Sequence, residues 1–327
     1  MTTGRHIVAL LQSHIDGDDE RFLSVATQVA AQEARQGHGK LAQELRELID
    51  AAKGKIATVA RRGAGPVPLV QPKGELTSLL EARYSDVRLG SMVLSADLKS
   101  RLQRILTEQR QQNRLHARGL SPRRKILLIG PPGSGKTMTA AALAGELKLP
   151  IFTVLYDGLI GKLLGETASR LRLVFEAIKI QRGVYFFDEF DAIGSQRAGP
   201  NDVGEIRRVL NSFLQFLEKD DSRSLIIAAT NHPELLDRAL FRRFDEVITY
   251  QLPDETIVRG IVEAHLATFR LDEIEWAKIV VAAAGLSQAE IARAADNAAK
   301  VAVLSETDQI GLSTLLAAIE ERTTPVS

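Results

Sequence analysis

Gly130-Pro131-Pro132-Gly133-Ser134-Gly135-Lys136-Thr137 carries the spacing GxxxxGK[ST]. It follows an apolar run and precedes an alanine-rich stretch, the strand–loop–helix setting in which this spacing cradles phosphates. Glycines let consecutive backbone N–H groups turn inward around phosphate oxygens. The helix that follows adds the partial positive charge of its N-terminus. Lys136 would reach β- and γ-phosphates, and Thr137 would offer its hydroxyl to Mg2+. The expected nucleotide contacts are Pro131, Pro132, Gly133, Ser134, Gly135, Lys136, Thr137 and Met138.

Three further groups suit a triphosphate. Val184-Tyr185-Phe186-Phe187-Asp188-Glu189 is an apolar run ending in two carboxylates. Asp188 would hold the Mg2+ shell, and Glu189 would orient and polarise the attacking water. Asp191 reads either as structural or as a supporting partner. Leu225-Ile226-Ile227-Ala228-Ala229-Thr230-Asn231 is a second apolar run with a polar end. Asn231 can hydrogen-bond a γ-phosphate and a water without adding charge; a turn-forming Asn before His232-Pro233 is the plainer alternative. Arg242 and Arg243 are adjacent guanidinium groups, permanently charged and shaped for phosphate oxygens. They are expected to be catalytic, against the alternative of a solvated or salt-bridged pair.

Positioning such groups requires a sheet. Short β-rich runs at 126–129, 151–155, 184–187, 225–229 and 247–250 alternate with helical stretches, which implies a parallel sheet with helices on both faces. Buried strands of this kind deliver polar residues to the carboxyl edge, where ligands bind. After Pro253 the pattern is purely helical, and Ser287-Gln288-Ala289-Glu290 reads as a capping box. Upstream, residues 16–50 read as a helical hairpin with apolar stripes at helical spacing, broken by Gly37-His38-Gly39. Gly63-Ala64-Gly65-Pro66-Val67-Pro68 signals a linker, followed by a bridging helix over 98–115. The expected division is a hairpin at 1–60, linker and bridging helix at 61–120, an α/β ATPase subdomain at 121–252 and a helical lid at 253–327.

Composition removes other chemistries. The 327 residues are 45% apolar and 25% charged, ordinary for a globular protein. With 42 Lys plus Arg against 41 Asp plus Glu, bulk charge argues against a nucleic-acid or anionic-lipid binder. The absence of cysteine rules out disulfides, thiolate metal sites and Cys nucleophiles. The six histidines are scattered without an HExxH pair and read as isolated surface or core residues. No apolar run approaches the about 18 residues of a membrane span, and no secretory leader is visible, so a cytoplasmic location is expected.

Taken in order, GPPGSGKT, FFDEFDAIG, AATNHPELLD and ALFRRFD resemble the AAA ATPase family across about residues 126–299. The resemblance implies an α/β P-loop NTPase fold, with a parallel sheet of order 5-1-4-3-2, a C-terminal α-helical lid and an N-terminal helical hairpin. It implies a homo-oligomeric ring, commonly a hexamer, binding ATP and Mg2+ at subunit interfaces. Asn231 falls at the family's sensor-1 position, and Arg242 and Arg243 fall where arginine fingers act on a neighbour's nucleotide. Residues 285–291 resemble the lid stretch GxSGADI near adenine and ribose, with Gln288 and Glu290 replacing Gly and Asp. Met92, Val93 and Leu94 sit where the family lines the adenine pocket. Lys162, Leu163, Leu164 and Gly165 lie where it places a first pore loop, with Leu163 in place of an aromatic residue. Residues 194–204 would form a second loop.

The function expected is a motor that hydrolyses Mg·ATP and remodels or translocates a protein client, with the hairpin recruiting client or adaptor. The short N-terminal domain with a single ATPase module also resembles ATPases paired with a separate subtilisin-like protease; this chain has no GxSxG, HExxH or Cys nucleophile of its own. A nucleic-acid-linked switch is an alternative, kept open by Lys162 and Arg197, although a DNA-lined pore wants more Lys or Arg. A scaffold or signalling ring that hydrolyses little is another, opposed by Asp188, Glu189 and Lys136 together.

Overall fold

The computed structural model describes residues 71–160, 165–190, 203–236 and 238–323, together with Val29 and Gln43, which are helical. The chain divides into two compact units, Met1–Leu69 and Val70–Ser327. The second carries the sheet, its helices and the candidate site. The predicted hairpin, apart from Val29 and Gln43, lies outside the described residues, as do the linker at 63–68, Lys162, Leu163, Leu164, Asp191 and residues 194–202.

The sheet has six strands: β1 Leu80–Arg83, β2 Lys125–Ile129, β3 Ile151–Val154, β4 Val184–Phe187, β5 Leu225–Thr230 and β6 Glu246–Thr249. Their spatial order is β1-β3-β4-β5-β2-β6. The strands β3 to β6 and β2 pair in parallel, from Ile151↔Val184 to Ile129↔Thr249. Counted from β2, this is the predicted 5-1-4-3-2 order. β1 was not foreseen: it adds antiparallel to β3, with Leu80 opposite Val154 and Arg83 opposite Ile151. Its sequence, LEAR, is too short and too polar to read as a strand.

The central strands are apolar on both faces because both faces are covered. In β2, Leu127 and Ile129 join one core while Ile126 and Leu128 join the other. The first core is closed by helices α5 (Glu166–Ile180) and α6 (Val203–Lys219), the second by α1 (Ala96–Arg110) and α3 (Lys136–Leu147). Phe213 of α6 is wholly buried against Phe190, Phe187 and Phe175, with ring centroids 4.4, 5.0 and 5.7 Å away. Burying such a side chain contributes about 2–3 kcal/mol. The alanines of α3 let that helix lie close to the sheet: Ala140, Ala142 and Ala144 are fully buried.

The predicted bridging helix over 98–115 is two helices, α1 and α2 (Gln112–His116), meeting at Gln111. Ser95 caps α1 by accepting from Leu98 N. Two short helices complete the α/β part, α4 (Tyr156–Leu159) and α7 (Arg238–Phe241). At the start of β2 the chain is pinned by charge. Asp245 Oδ2 accepts from Arg124 N and Lys125 N at 2.9 Å each, and Arg124 pairs with the buried Asp220. Burial, with the adjacent Arg124, pulls the Lys125 ammonium pKa below its usual range.

Beyond Pro253 come α8 (Glu255–His265), α9 (Trp276–Ala282), α10 (Gln288–Leu304) and α11 (Leu312–Thr323), around a core that includes Ile261, Ile279, Ile291 and Ile319. This region is not purely helical as expected. β7 (Arg270–Asp272) pairs in parallel with β8 (Gln309–Gly311). Three-residue strands carry too little alternation to be read against flanking helical pattern.

Candidate functional site: the cavity over the β2–α3 loop

β2 delivers the chain to Gly130 at the carboxyl edge of the sheet. There the backbone must turn without side chains. A Cβ at Gly130 would lie 2.7 Å from Tyr250 Cβ, and one at Gly133 would lie 2.6 Å from Ser287 Oγ. Gly133 and Gly135 also take φ of 72° and 93°, which favours glycine. α3 begins at Lys136, directly after the left-handed Gly135.

Lys136 is 6% exposed, and its charge is met by oxygens. Nζ donates to Gly130 O at 2.8 Å, Pro131 O at 2.8 Å and Asn231 Oδ1 at 2.7 Å. Thr137 Oγ1 donates to Asp188 Oδ2 at 2.7 Å. The strand β4 is buried throughout and ends before Asp188, and β5 is buried throughout and ends before Asn231. Thus the β2–α3 loop, β4 and β5 bring Lys136, Thr137, Asp188, Glu189 and Asn231 to one edge.

Glu189 sits at φ 48°, in the left-handed region that non-glycine residues seldom occupy. Its N–H donates to Asp188 Oδ1 at 3.0 Å. The next residue, the fully buried Phe190, donates its N–H to Ala229 O at 2.8 Å. The anchored Phe190 forces the tight turn that presents Glu189. Strain of this order, about 1–3 kcal/mol, persists where surrounding packing enforces it.

A cavity of about 410 Å3 opens over these groups. Its wall combines the polar Lys136, Thr137, Asp188, Glu189 and Asn231 with Met92, Val93, Ile261, Ala264, His265 and Ala292. Of the three residues expected to line an adenine pocket, Met92 and Val93 do so. Leu94 lines a neighbouring cavity instead, because the chain has turned into the cap of α1. His265 was read as an isolated histidine; it lines the cavity, with Nδ1 2.8 Å from Asp296 Oδ1. It lies at the end of an amphipathic helix, and nothing local in the sequence marks it.

The lid touches the loop directly. Ala289 N donates to Gly133 O at 3.0 Å. The predicted capping box is present: Glu290 N donates to Ser287 Oγ at 3.3 Å, and Ser287 N donates to Glu290 Oε2 at 2.7 Å. Those hydrogen bonds hold the Glu290 carboxyl below its usual range. On the other side, Tyr250 OH lies 2.6 Å from Thr139 Oγ1. Burial, partly offset by that hydrogen bond, pushes the phenol up to about 12, so it stays neutral.

Pro132, Gly133, Gly135, Lys136, Thr137 and Met138 line the cavity. Pro131 contributes its carbonyl to Lys136, and the buried Ser134 hydroxyl has no hydrogen-bond partner among the described residues. A wall that joins a buried lysine, two carboxylates and an amide to apolar side chains fits a nucleotide in size and chemistry. Arg242 and Arg243 are exposed and lie outside this cavity; they border a separate hollow with Lys125 and Glu218, and Arg243 pairs with Glu218. Of the predicted pore-loop residues, Gly165 is described, at φ 86° beside α5.

The sequence profile of the family described as "ATPase family associated with various cellular activities (AAA)" matches residues 126–252. The chain is 33% identical over 310 residues to the AAA family ATPase y4kL of Sinorhizobium fredii, covering 95% of this chain and 92% of that protein. It is 35% identical over 233 residues to the ATP-dependent zinc metalloprotease FtsH 1 of Methylacidiphilum infernorum. It is 32% identical over 269 residues to the FtsH metalloprotease of Acaryochloris marina. Those two matches cover 69% and 79% of this chain but only 37% and 41% of the metalloproteases. With the profile lying over the sheet and phosphate loop, and a relative matched along nearly its whole length, this chain belongs to the AAA family of ATPases.

Proposed function

We propose that the chain is a Mg2+-dependent ATP-driven motor that works as a homo-oligomeric ring, commonly a hexamer in this family, and remodels or translocates a protein client. The convergence of Lys136, Thr137, Asp188, Glu189 and Asn231 on one cavity, with Lys136 bonded to Asn231 and Thr137 to Asp188, carries this reading. Lys136 neutralises β- and γ-phosphate charge. Thr137 and Asp188, within hydrogen-bonding distance of each other, would hold the Mg2+ through their oxygens. Bound Mg2+ supplies positive charge to the phosphate oxygens. Glu189 takes the role of general base, orienting and polarising the attacking water, and Asn231 holds water and γ-phosphate without adding charge.

Arg242 and Arg243 complete the chemistry from the next subunit. Their exposure, away from the chain's own cavity, supports action in trans. A guanidinium placed on the γ-phosphate accelerates transfer by about 10^3- to 10^5-fold. The lid, hydrogen-bonded to Gly133 through Ala289, transmits the nucleotide state. Residues 162–165 would grip the client, and residues 1–60 would recruit it or an adaptor. The FtsH relatives are by name ATP-dependent zinc metalloproteases; a separate protease is accordingly a partner class that this motor would serve.

ATP turnover measured with an unfolded polypeptide and with single-stranded DNA tests the client class. Stimulation by the polypeptide alone is expected. Stimulation by DNA alone would replace the motor with a nucleic-acid-linked switch, and indifference to both would favour a scaffold or signalling ring.

A further inference from the structure

We propose that Tyr250 is a positioning residue for the loop between β2 and α3, holding residues 130–135 from both ends and so setting how tightly nucleotide is bound. This rests on reading the cavity as the nucleotide site. Tyr250 directly follows β6 and is buried. Its backbone runs beside the end of β2, with Tyr250 N donating to Ile129 O at 2.7 Å. Its Cβ and its carbonyl oxygen stand 2.7 and 2.8 Å from the point where a Cβ on Gly130 would lie. Gly130 therefore rests directly on Tyr250, with no room to shift toward it. Gly130 O is also one of the oxygens that accept from Lys136 Nζ. The entry of the loop is fixed in this way.

The ring reaches the exit of the same loop. Tyr250 OH lies 2.6 Å from Thr139 Oγ1, and Thr139 Oγ1 lies 3.0 Å from Gly135 O. A carbonyl only accepts, so Thr139 spends its proton on Gly135 O and takes the proton of Tyr250. The relay thus runs from Tyr250 OH through Thr139 Oγ1 to Gly135 O, between two side chains 111 positions apart in sequence. Thr139 is wholly buried, so a hydroxyl lost from the relay leaves its neighbour desolvated and unpaired. Gly135 O accepts from Thr139 N as well, at 2.8 Å. The Gly135–Lys136 peptide is trans, so fixing its carbonyl toward Thr139 aims its N–H the opposite way, off the start of α3. That is the end of a helix at which anions bind. A hydrogen bond accepted by the carbonyl also strengthens the N–H of the same peptide as a donor.

The test is equilibrium binding of ATP to the full chain and to Tyr250→Phe, Thr139→Val, the double variant, Thr139→Ser and Lys136→Ala, with thermal unfolding of each recorded without nucleotide. Tyr250→Phe and Thr139→Val each remove one hydroxyl and should each weaken ATP binding about 3- to 10-fold, the span of a single hydrogen bond. The double variant should bind within about 2-fold of the weaker single, because both substitutions sever one relay. Thr139→Ser keeps the hydroxyl and should bind within about 2-fold of the parent. Parent-like affinity in either single variant, whatever its unfolding temperature, overturns the role of Tyr250. Losses that multiply in the double variant, or a Thr139→Ser chain as weak as Thr139→Val, overturn it equally. Lys136→Ala should lose ATP; retained binding there would instead overturn the reading of the cavity.

Discussion

Lys136 Nζ and Asn231 Oδ1 lie 2.7 Å apart, joining the loop after β2 to the end of β5 by a charge-assisted hydrogen bond. Two residues 95 positions apart in sequence thus share one proton-donating contact inside the cavity. A γ-phosphate placed here would meet both groups, but the two contribute differently. The lysine supplies charge, which binding needs; the asparagine supplies orientation, which turnover needs.

Lys136→Ala and Asn231→Ala should therefore separate. The first should abolish measurable nucleotide binding. The second should keep affinity within about 3-fold, the scale of one neutral hydrogen bond, while hydrolysis falls about 10- to 100-fold. Nucleotide titration with phosphate-release assays checks both, and parent-like turnover by Asn231→Ala would remove its proposed role.

Arg242→Ala and Arg243→Ala chains should bind ATP normally and hydrolyse it poorly, because neither residue lines the chain's own cavity. Mixing either with Lys136→Ala chains should restore part of the activity at interfaces pairing an intact loop with intact arginines. No recovery at any mixing ratio would argue against action across an interface.

Much of this was legible before any coordinates. The both-face apolar runs in β2, β4 and β5 announced a covered parallel sheet, and the polar residues closing the β4 and β5 runs marked its ligand-bearing edge. Three things were not. β1 is four residues of mixed polarity and gains strand character only from pairing with β3. β7 and β8 are three residues each, below the length at which alternation can be seen. His265 and Ile261 reach the cavity because the lid folds back over the loop, a long-range packing event that no local pattern encodes.

The lid's capping box makes stability pH-dependent in a defined direction. Glu290 has a folded pKa below its unfolded value. Its contribution is therefore complete above the unfolded pKa of about 4.3 and is lost as pH falls through the lower, folded value. Glu290→Gln should flatten that part of the melting-temperature profile. Ser287→Ala should cost about 1 kcal/mol at neutral pH, as loss of a helix cap does. A profile identical in parent and Glu290→Gln would show that the carboxylate contributes nothing in the folded state.

Phe213→Ala should destabilise the α/β part by about 3–5 kcal/mol, because Phe213 fills the space between α6 and the strand that carries Asp188 and Glu189. Chemical denaturation reads the loss directly. A cost below about 1 kcal/mol would mean that the aromatic cluster repacks freely.

The most direct test of the ATPase chemistry is single-turnover hydrolysis by Glu189→Gln, with binding measured on the same preparation. Glutamine keeps the shape at φ 48° and removes the base. The account predicts ATP affinity within about 2-fold of the parent and hydrolysis slowed at least about 100-fold. Parent-rate hydrolysis with normal binding would contradict it.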